Sequence, residues 1–329
     1  MTVGILGPRE TGKTVFISLL ENAAIQYRQT VEKDFEFNFH PAIIPDLDQG
    51  RIDLLTGKWP GATPLGQPSE YDLRFGYPGR LGGLGGKVYL DFTIFDIGGE
   101  DVSEAARMTA RLPKEDRKKF IDALAPSMRK ILDSNVLVFL VDSGMIETHG
   151  RDRPEQYEKM LNYDRDMAQI ISLTEWYKAA VIEKGMRMYP IVFLTKFDKI
   201  ETDVLKAIGL PTNFSDVEIR TKLTGIFKNK EREQRRIFGE AIMEKFFPNS
   251  MGHLRGSSLA GAKIGEGVKY DKLQFFFSSL ATKIDDDGTR IPDISPDASG
   301  KIFSLSYSED EYVAFIKYLG EIAKAQPGL

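Results

Sequence analysis

Residues 7–14 read GPRETGKT: two glycines with four residues between them, the second followed at once by Lys13 and Thr14. This spacing suits a phosphate cradle. Gly7 and Gly12 let the backbone turn tightly and come close to an anion. Arg9, Glu10, Thr11, Gly12, Lys13, Thr14 and Val15 present backbone N–H groups to it. Lys13 reaches toward the β- and γ-phosphates, and the Thr14 hydroxyl is a candidate Mg²⁺ ligand.

Three later stretches complete a candidate site. The run ending in FDIGGE places Asp96 at a strand end, where it could hold Mg²⁺ through water, and Gly99 where a backbone N–H could reach a γ-phosphate. Glu100 follows, and is expected to orient or polarise an attacking water. LTKFD contains Thr195, Lys196 and Asp198 and resembles the T/N-K-x-D guanine-recognition motif. A carboxylate there accepts from guanine N1–H and the exocyclic amine, a pair adenine does not offer, while the Lys196 stem lies over the purine. FFFSSLA contains Ser278, Ser279 and Leu280 and resembles the loop that backs guanine O6 through a backbone N–H. A threonine capping Mg²⁺ is expected between the first helix and the hairpin; Thr63 is preferred and Thr56 is the alternative. Arg9 is read as an exposed loop arginine or a partner of Glu10 rather than as an internal arginine finger. Trp59 is expected to pack in the core.

These residues need strands and helices to position them. Five apolar runs read as buried parallel strands: 2–6, 87–96, 135–142, 189–198 and 273–279. Helical spacing covers about 13–28, 101–132, 154–184, 216–246 and 308–325, and Pro113 and Pro126 should interrupt the second of these. EYDLRFGY (70–77) alternates and precedes a glycine-rich turn, so it predicts a hairpin and one antiparallel edge strand. Segment 248–272 reads as a long glycine- and serine-rich loop. The charged stretch within 216–246 reads as a solvated helix face. The expected architecture is α/β, with a mostly parallel sheet covered by helices on both faces.

Composition narrows the functional classes. The chain has 329 residues, net charge −4 and no cysteine. That excludes disulfides, thiol nucleophiles and cysteine-based zinc sites, and no general affinity for nucleic acid is expected. His40, His149 and His253 are far apart in sequence and make a poor metal set. No stretch is long and apolar enough to span a bilayer. Because the N-terminus enters a strand almost at once, no signal peptide is expected and a cytoplasmic location is the natural reading.

Taken in order, the glycine loop, D-x-x-G, T-K-x-D and serine loop resemble the translation-factor-like class of P-loop GTPases across residues 2 to about 281. GKTVFISLL (12–20), WPGATPLGQPSEYDLRFGY (59–77) and FDIGGE (95–100) are similar to the YcjX-like GTPases within it. The resemblance implies a Ras-like fold in one GTPase domain over 1–329, with insertions at about 30–70 (the switch I region) and 201–272. It also implies GTP/GDP and Mg²⁺ as ligands and an unidentified protein effector or regulator, while the repulsion of a Glu100 carboxylate by anionic phosphates predicts slow hydrolysis unless a partner or conformational change helps. A nucleotide-gated interaction module with incidental hydrolysis and a P-loop ATPase are the alternatives.

Overall fold

The computed structural model describes residues 2–30, 36–39, 44–61, 69–78, 87–96, 99–146, 154–181, 187–200, 202–207, 231–255, 269–270, 272–296 and 303–325. Its centre is a mostly parallel sheet. Strand β1 (Thr2–Leu6) lies between β4 (Lys87–Asp96) and β5 (Val136–Asp142), parallel to both. Strand β6 (Arg187–Thr195) pairs with β5, and β8 (Gln274–Phe277) pairs with β6, again parallel. The two-residue β7 (Lys269–Tyr270) lies along the start of β6. The C-terminal ends of these strands therefore share one edge of the sheet, where open α/β sheets bind ligands.

Two antiparallel strands extend the other side. β3 (Ser69–Pro78) pairs with β4 along its whole length, from Ser69 opposite Asp96 to Pro78 opposite Lys87. The hairpin is as expected, but β3 is not the edge. β2 (Glu36–Phe39) pairs antiparallel with it, Phe37 opposite Phe75. Four residues, Glu-Phe-Asn-Phe, are too short an alternation to stand out from the polar sequence around them.

Strand pleating divides the core in two. Leu137, Phe139 and Val141 of β5 belong to one apolar cluster, and Val136, Val138 and Leu140 to the other. A strand buried on both faces has to be apolar at every position, which is why NVLVFLVD shows no alternation. The first cluster is closed by α3 (Gly99–Arg111), α5 (Pro126–Asp133), α6 (Pro154–Val181), α8 (Glu231–Phe246) and α9 (Pro248–Leu254). The second is closed by α1 (Lys13–Thr30), α2 (Ile44–Leu55) and α10 (Glu309–Ala325). Pro113 and Pro126 split the expected 101–132 helix into α3, α4 (Lys114–Ala123) and α5, because proline has no N–H to continue the helical ladder.

The C-terminal half departs from the expected pattern in two places. Segment 248–254 is the helix α9, not loop. Its first turn is capped from α6: the Asp164 carboxylate accepts the Asn249 and Ser250 backbone N–H groups, both at 2.9 Å, and the Ser250 hydroxyl at 2.6 Å. A cap supplied from so far away in the chain leaves no local trace. Between β8 and α10, two short hairpins were not foreseen: β9 (Thr282–Ile284) with β10 (Arg290–Pro292), and β11 (Ile294–Pro296) with β12 (Phe303–Leu305). Helix α7 (Thr202–Ala207) opens the expected 201–272 insertion, whose residues 208–230 and 256–268 lie outside those described. Among the described residues, no helix is long and apolar enough to cross a membrane.

Candidate functional site

The loop from Gly7 to Gly12 joins the end of β1 to the start of α1. Gly12 has φ +84°, a left-handed conformation that glycine adopts without strain. Gly7 is needed for a different reason. A Cβ there would lie 2.9 Å from the Leu140 carbonyl and 2.9 Å from the Thr11 hydroxyl, so the loop rests directly on β5. The Thr11 hydroxyl donates to the Pro8 carbonyl at 3.0 Å and closes the turn. Lys13 is buried at the helix start, its ammonium donating to the Gly7 and Pro8 carbonyls at 3.0 and 3.1 Å. The first turn of α1 thus combines a cation with the positive end of a helix dipole, a setting suited to anions. Phe16 braces it from below, its ring 4.7 Å from that of Phe193 on β6.

The residues after β6 are tied to this loop. The Thr195 hydroxyl donates to the Thr11 carbonyl at 2.8 Å. Lys196 stands in the left-handed region, φ +54°, and its ammonium donates to the Glu10 carbonyl at 2.8 Å and to Asp142 Oδ2 at 2.6 Å. Asp142 escaped the sequence reading. Its nearly buried carboxylate also accepts the Gly144 N–H at 2.8 Å, so it anchors Lys196 at the end of β5. The available signal was an acid closing an otherwise wholly apolar strand.

The third segment is fastened from behind by α10. Glu311 accepts the Phe277 N–H at 3.1 Å, the Tyr312 and Ser278 hydroxyls share a 2.6 Å hydrogen bond, and Ser308 Oγ accepts the Ser279 N–H at 3.0 Å. Glu311 itself forms a buried ion pair with Arg235 of α8, at 2.7 Å. Across the cavity wall, the Leu280 N–H donates to Asp198 Oδ1 at 3.4 Å. Ser278, Leu280 and Asp198 line the cavity, whereas Ser279 is buried and does not. Its amide is already engaged by Ser308, which departs from the expected use of that loop.

One cavity of about 700 Å³ brings these pieces together. Arg9 to Val15, Glu100, Thr195, Lys196, Asp198, Ser278 and Leu280 all line it. Gly7 shapes the loop without reaching the wall. Asp96 closes β4 at the same sheet edge, and Gly99 starts α3 beside it. The Arg9 guanidinium lies between two carboxylates, 3.7 Å from Glu10 and 3.5 Å from Glu100. Thr63 lies outside the described residues. Thr56 is committed elsewhere: its hydroxyl donates to the Ile52 and Asp53 carbonyls at the end of α2. Trp59 is not a core residue. It is 44% exposed, lines the cavity, and donates its indole N–H to the Arg290 carbonyl at 2.8 Å.

For a metal, Thr14 is the described hydroxyl at the head of α1. Among the described residues, no group of three or more His, Asp or Glu side chains could hold a metal ion by itself. A hard cation at Thr14 would complete its shell with phosphate oxygens and water, as Mg²⁺ commonly does. No family model matches the chain, and no curated protein matches it.

Proposed function

We propose that this chain is a Mg²⁺-dependent GTP-binding protein that hydrolyses GTP to GDP and phosphate slowly, as a switch. One observation carries the reading. Four sequence segments, with lining residues from Arg9 to Leu280, converge on one cavity at the C-terminal edge of a mostly parallel sheet, in the strand order β3-β4-β1-β5-β6-β8. That order, with β3 antiparallel, is the one a Ras-like P-loop GTPase uses.

In this reading the loop amides and the α1 N-terminus receive the β- and γ-phosphates. Lys13 turns from the loop carbonyls toward the γ-phosphate oxygens, where charge develops as the phosphoryl group transfers. Thr14 and Asp96 would hold Mg²⁺, which would supply positive charge against the anionic phosphates. Asp198 accepts from guanine N1–H and the exocyclic amine. Lys196 covers the base with its stem while Asp142 fixes its ammonium. Glu100 orients the water that attacks in line. Its carboxylate faces anionic phosphate, which keeps turnover slow, and Arg9 moderates that repulsion.

The test is binding of labelled GTP, GDP and ATP to the purified protein, followed by single-turnover phosphate release. Tight GTP and GDP binding with slow release is expected. Preference for ATP would overturn the guanine assignment, and tight GTP binding without phosphate release would leave an interaction module gated by nucleotide.

A further inference from the structure

The hairpin β9–β10 adds a wall to the cavity that none of the four motifs accounts for. Thr282 and Arg290, one from each of its strands, both line the cavity, as does Trp59 from the segment after α2. The hairpin is docked on that segment. Trp59 donates to the Arg290 carbonyl at 2.8 Å, and Gly57 packs close to the side chains of Ile291 and Ile294. A Cβ at Gly57 would lie 3.8 and 3.7 Å from these two side chains.

The cations around the cavity differ in their commitments. Arg9 is paired with Glu10 and Glu100, Lys196 with Asp142, and Lys13 donates to loop carbonyls. Arg290 is exposed and makes no ion pair among the described residues. A guanidinium on the wall of an anion-binding cavity, with its own carbonyl held by the indole beside it, is placed to receive a negative charge bidentately.

Building on the nucleotide reading above, we propose that the β9–β10 hairpin is part of the binding site. Arg290 contacts the phosphate-bearing part of a bound nucleoside di- or triphosphate, and the Trp59 ring covers it. Because Trp59 follows α2 and Arg290 follows the serine loop, occupancy of the cavity binds the two segments together. Release of nucleotide then requires the Trp59–Arg290 wall to part.

Two measurements test this. The chain has two tryptophans, Trp59 and Trp176, so Trp176→Phe leaves Trp59 as the only indole reporter. In that variant, GDP is expected to shift or quench tryptophan emission with the same midpoint as its calorimetric binding curve. In the otherwise wild-type chain, Arg290→Ala is expected to weaken GDP and GTP by about tenfold or more, as befits a lost charge-assisted contact. Arg290→Lys should recover part of that loss. Ile237→Ser, at an exposed position of α8 that does not line the cavity, should bind as wild type does. Affinity within twofold of wild type in folded Arg290→Ala overturns the proposal. So does Trp59 emission that ignores nucleotide shown by calorimetry to be bound. If Arg290→Ala fails to fold, Arg290→Lys and the emission experiment decide. If the wild-type chain binds neither GDP nor GTP, the nucleotide reading itself fails first, and this inference with it.

Discussion

Arg9 and Glu100 meet across the mouth of the cavity, Nη1 to Oε1 at 3.5 Å, so the glycine loop after β1 is in ionic contact with the first turn of α3. Both side chains are more than half exposed, and water screens such a pair enough that it adds little to stability. Its interest is functional: the carboxylate proposed to orient water is held toward the loop proposed to hold phosphate.

Glu100→Ala is expected to lower single-turnover GTP hydrolysis by more than about tenfold, about 1.4 kcal/mol of barrier, with GTP affinity little changed. If the rate stays at the wild-type value, Glu100 serves only as an acidic residue suited to the start of α3.

Lys13→Ala should abolish tight binding of nucleoside triphosphate while the far-ultraviolet circular dichroism of the chain is unchanged. The ammonium bonds the Gly7 and Pro8 carbonyls, while α1 is anchored in the core through Phe16, Leu19 and Leu20. Wild-type affinity in a folded variant would remove the glycine loop from the site.

Asp198→Asn should shift preference from GTP toward XTP, because the amide can donate to the 2-oxo group that replaces the guanine amine. Competition binding with both nucleotides reads this directly, and an unchanged preference for GTP would exclude Asp198 as the base reader.

Stability should rise with pH above neutrality and then fall. Burial lowers the Lys178 ammonium to about 7 despite the nearby Asp133 carboxylate, and it donates to the Ser134 carbonyl at 2.8 Å. From about 7 toward the ordinary value of 10.5, the unfolded chain holds a proton that the folded chain has released, so raising pH favours the fold. Above about 10 the sign reverses, because burial holds the Tyr163, Tyr307 and Tyr312 phenols above their ordinary range. The melting temperature should climb from pH 7 to 9 in the wild type, and Lys178→Met should flatten that climb. Equal slopes in both proteins would mean that Lys178 stays charged in the fold.

Arg235→Met should be costly, by about 3–5 kcal/mol in urea unfolding, because it leaves the Glu311 carboxylate buried without its cation. The damage should reach the ligand site, since Glu311 also fixes the Phe277 N–H. A loss under about 1 kcal/mol would show that Glu311 is protonated or reaches water.

The parallel strands were legible because double burial makes them continuous apolar runs, and the breaks at Pro113 and Pro126 because proline acts locally. The candidate site was legible where the backbone demands glycine, as at Gly7 and Gly12. What escaped depends on distant partners. Asp142 gains its meaning from Lys196, α9 from Asp164, and Ser279 is turned inward by Ser308. The β9–β12 strands are three residues each, too short to show a period. Trp59 misled because an indole usually signals burial, whereas here its N–H finds a carbonyl on a hairpin that the sequence did not announce.

The fastening of residues 277–279 to Ser308, Glu311 and Tyr312 has a bearing on biosynthesis. Chains are made from the N-terminus, and earlier segments begin to fold first. The glycine loop and the Thr195–Asp198 segment exist long before residue 308 has been polymerised. Until then the Phe277 and Ser279 amides lack the carboxylate and hydroxyl that hold them, and Phe16 and Phe193 lack the covering rings of Tyr312 and Phe315. A nascent chain halted before that point would have the half proposed to bind anions without the clamp behind the opposite wall, so competence for the proposed ligand should appear late and abruptly during translation.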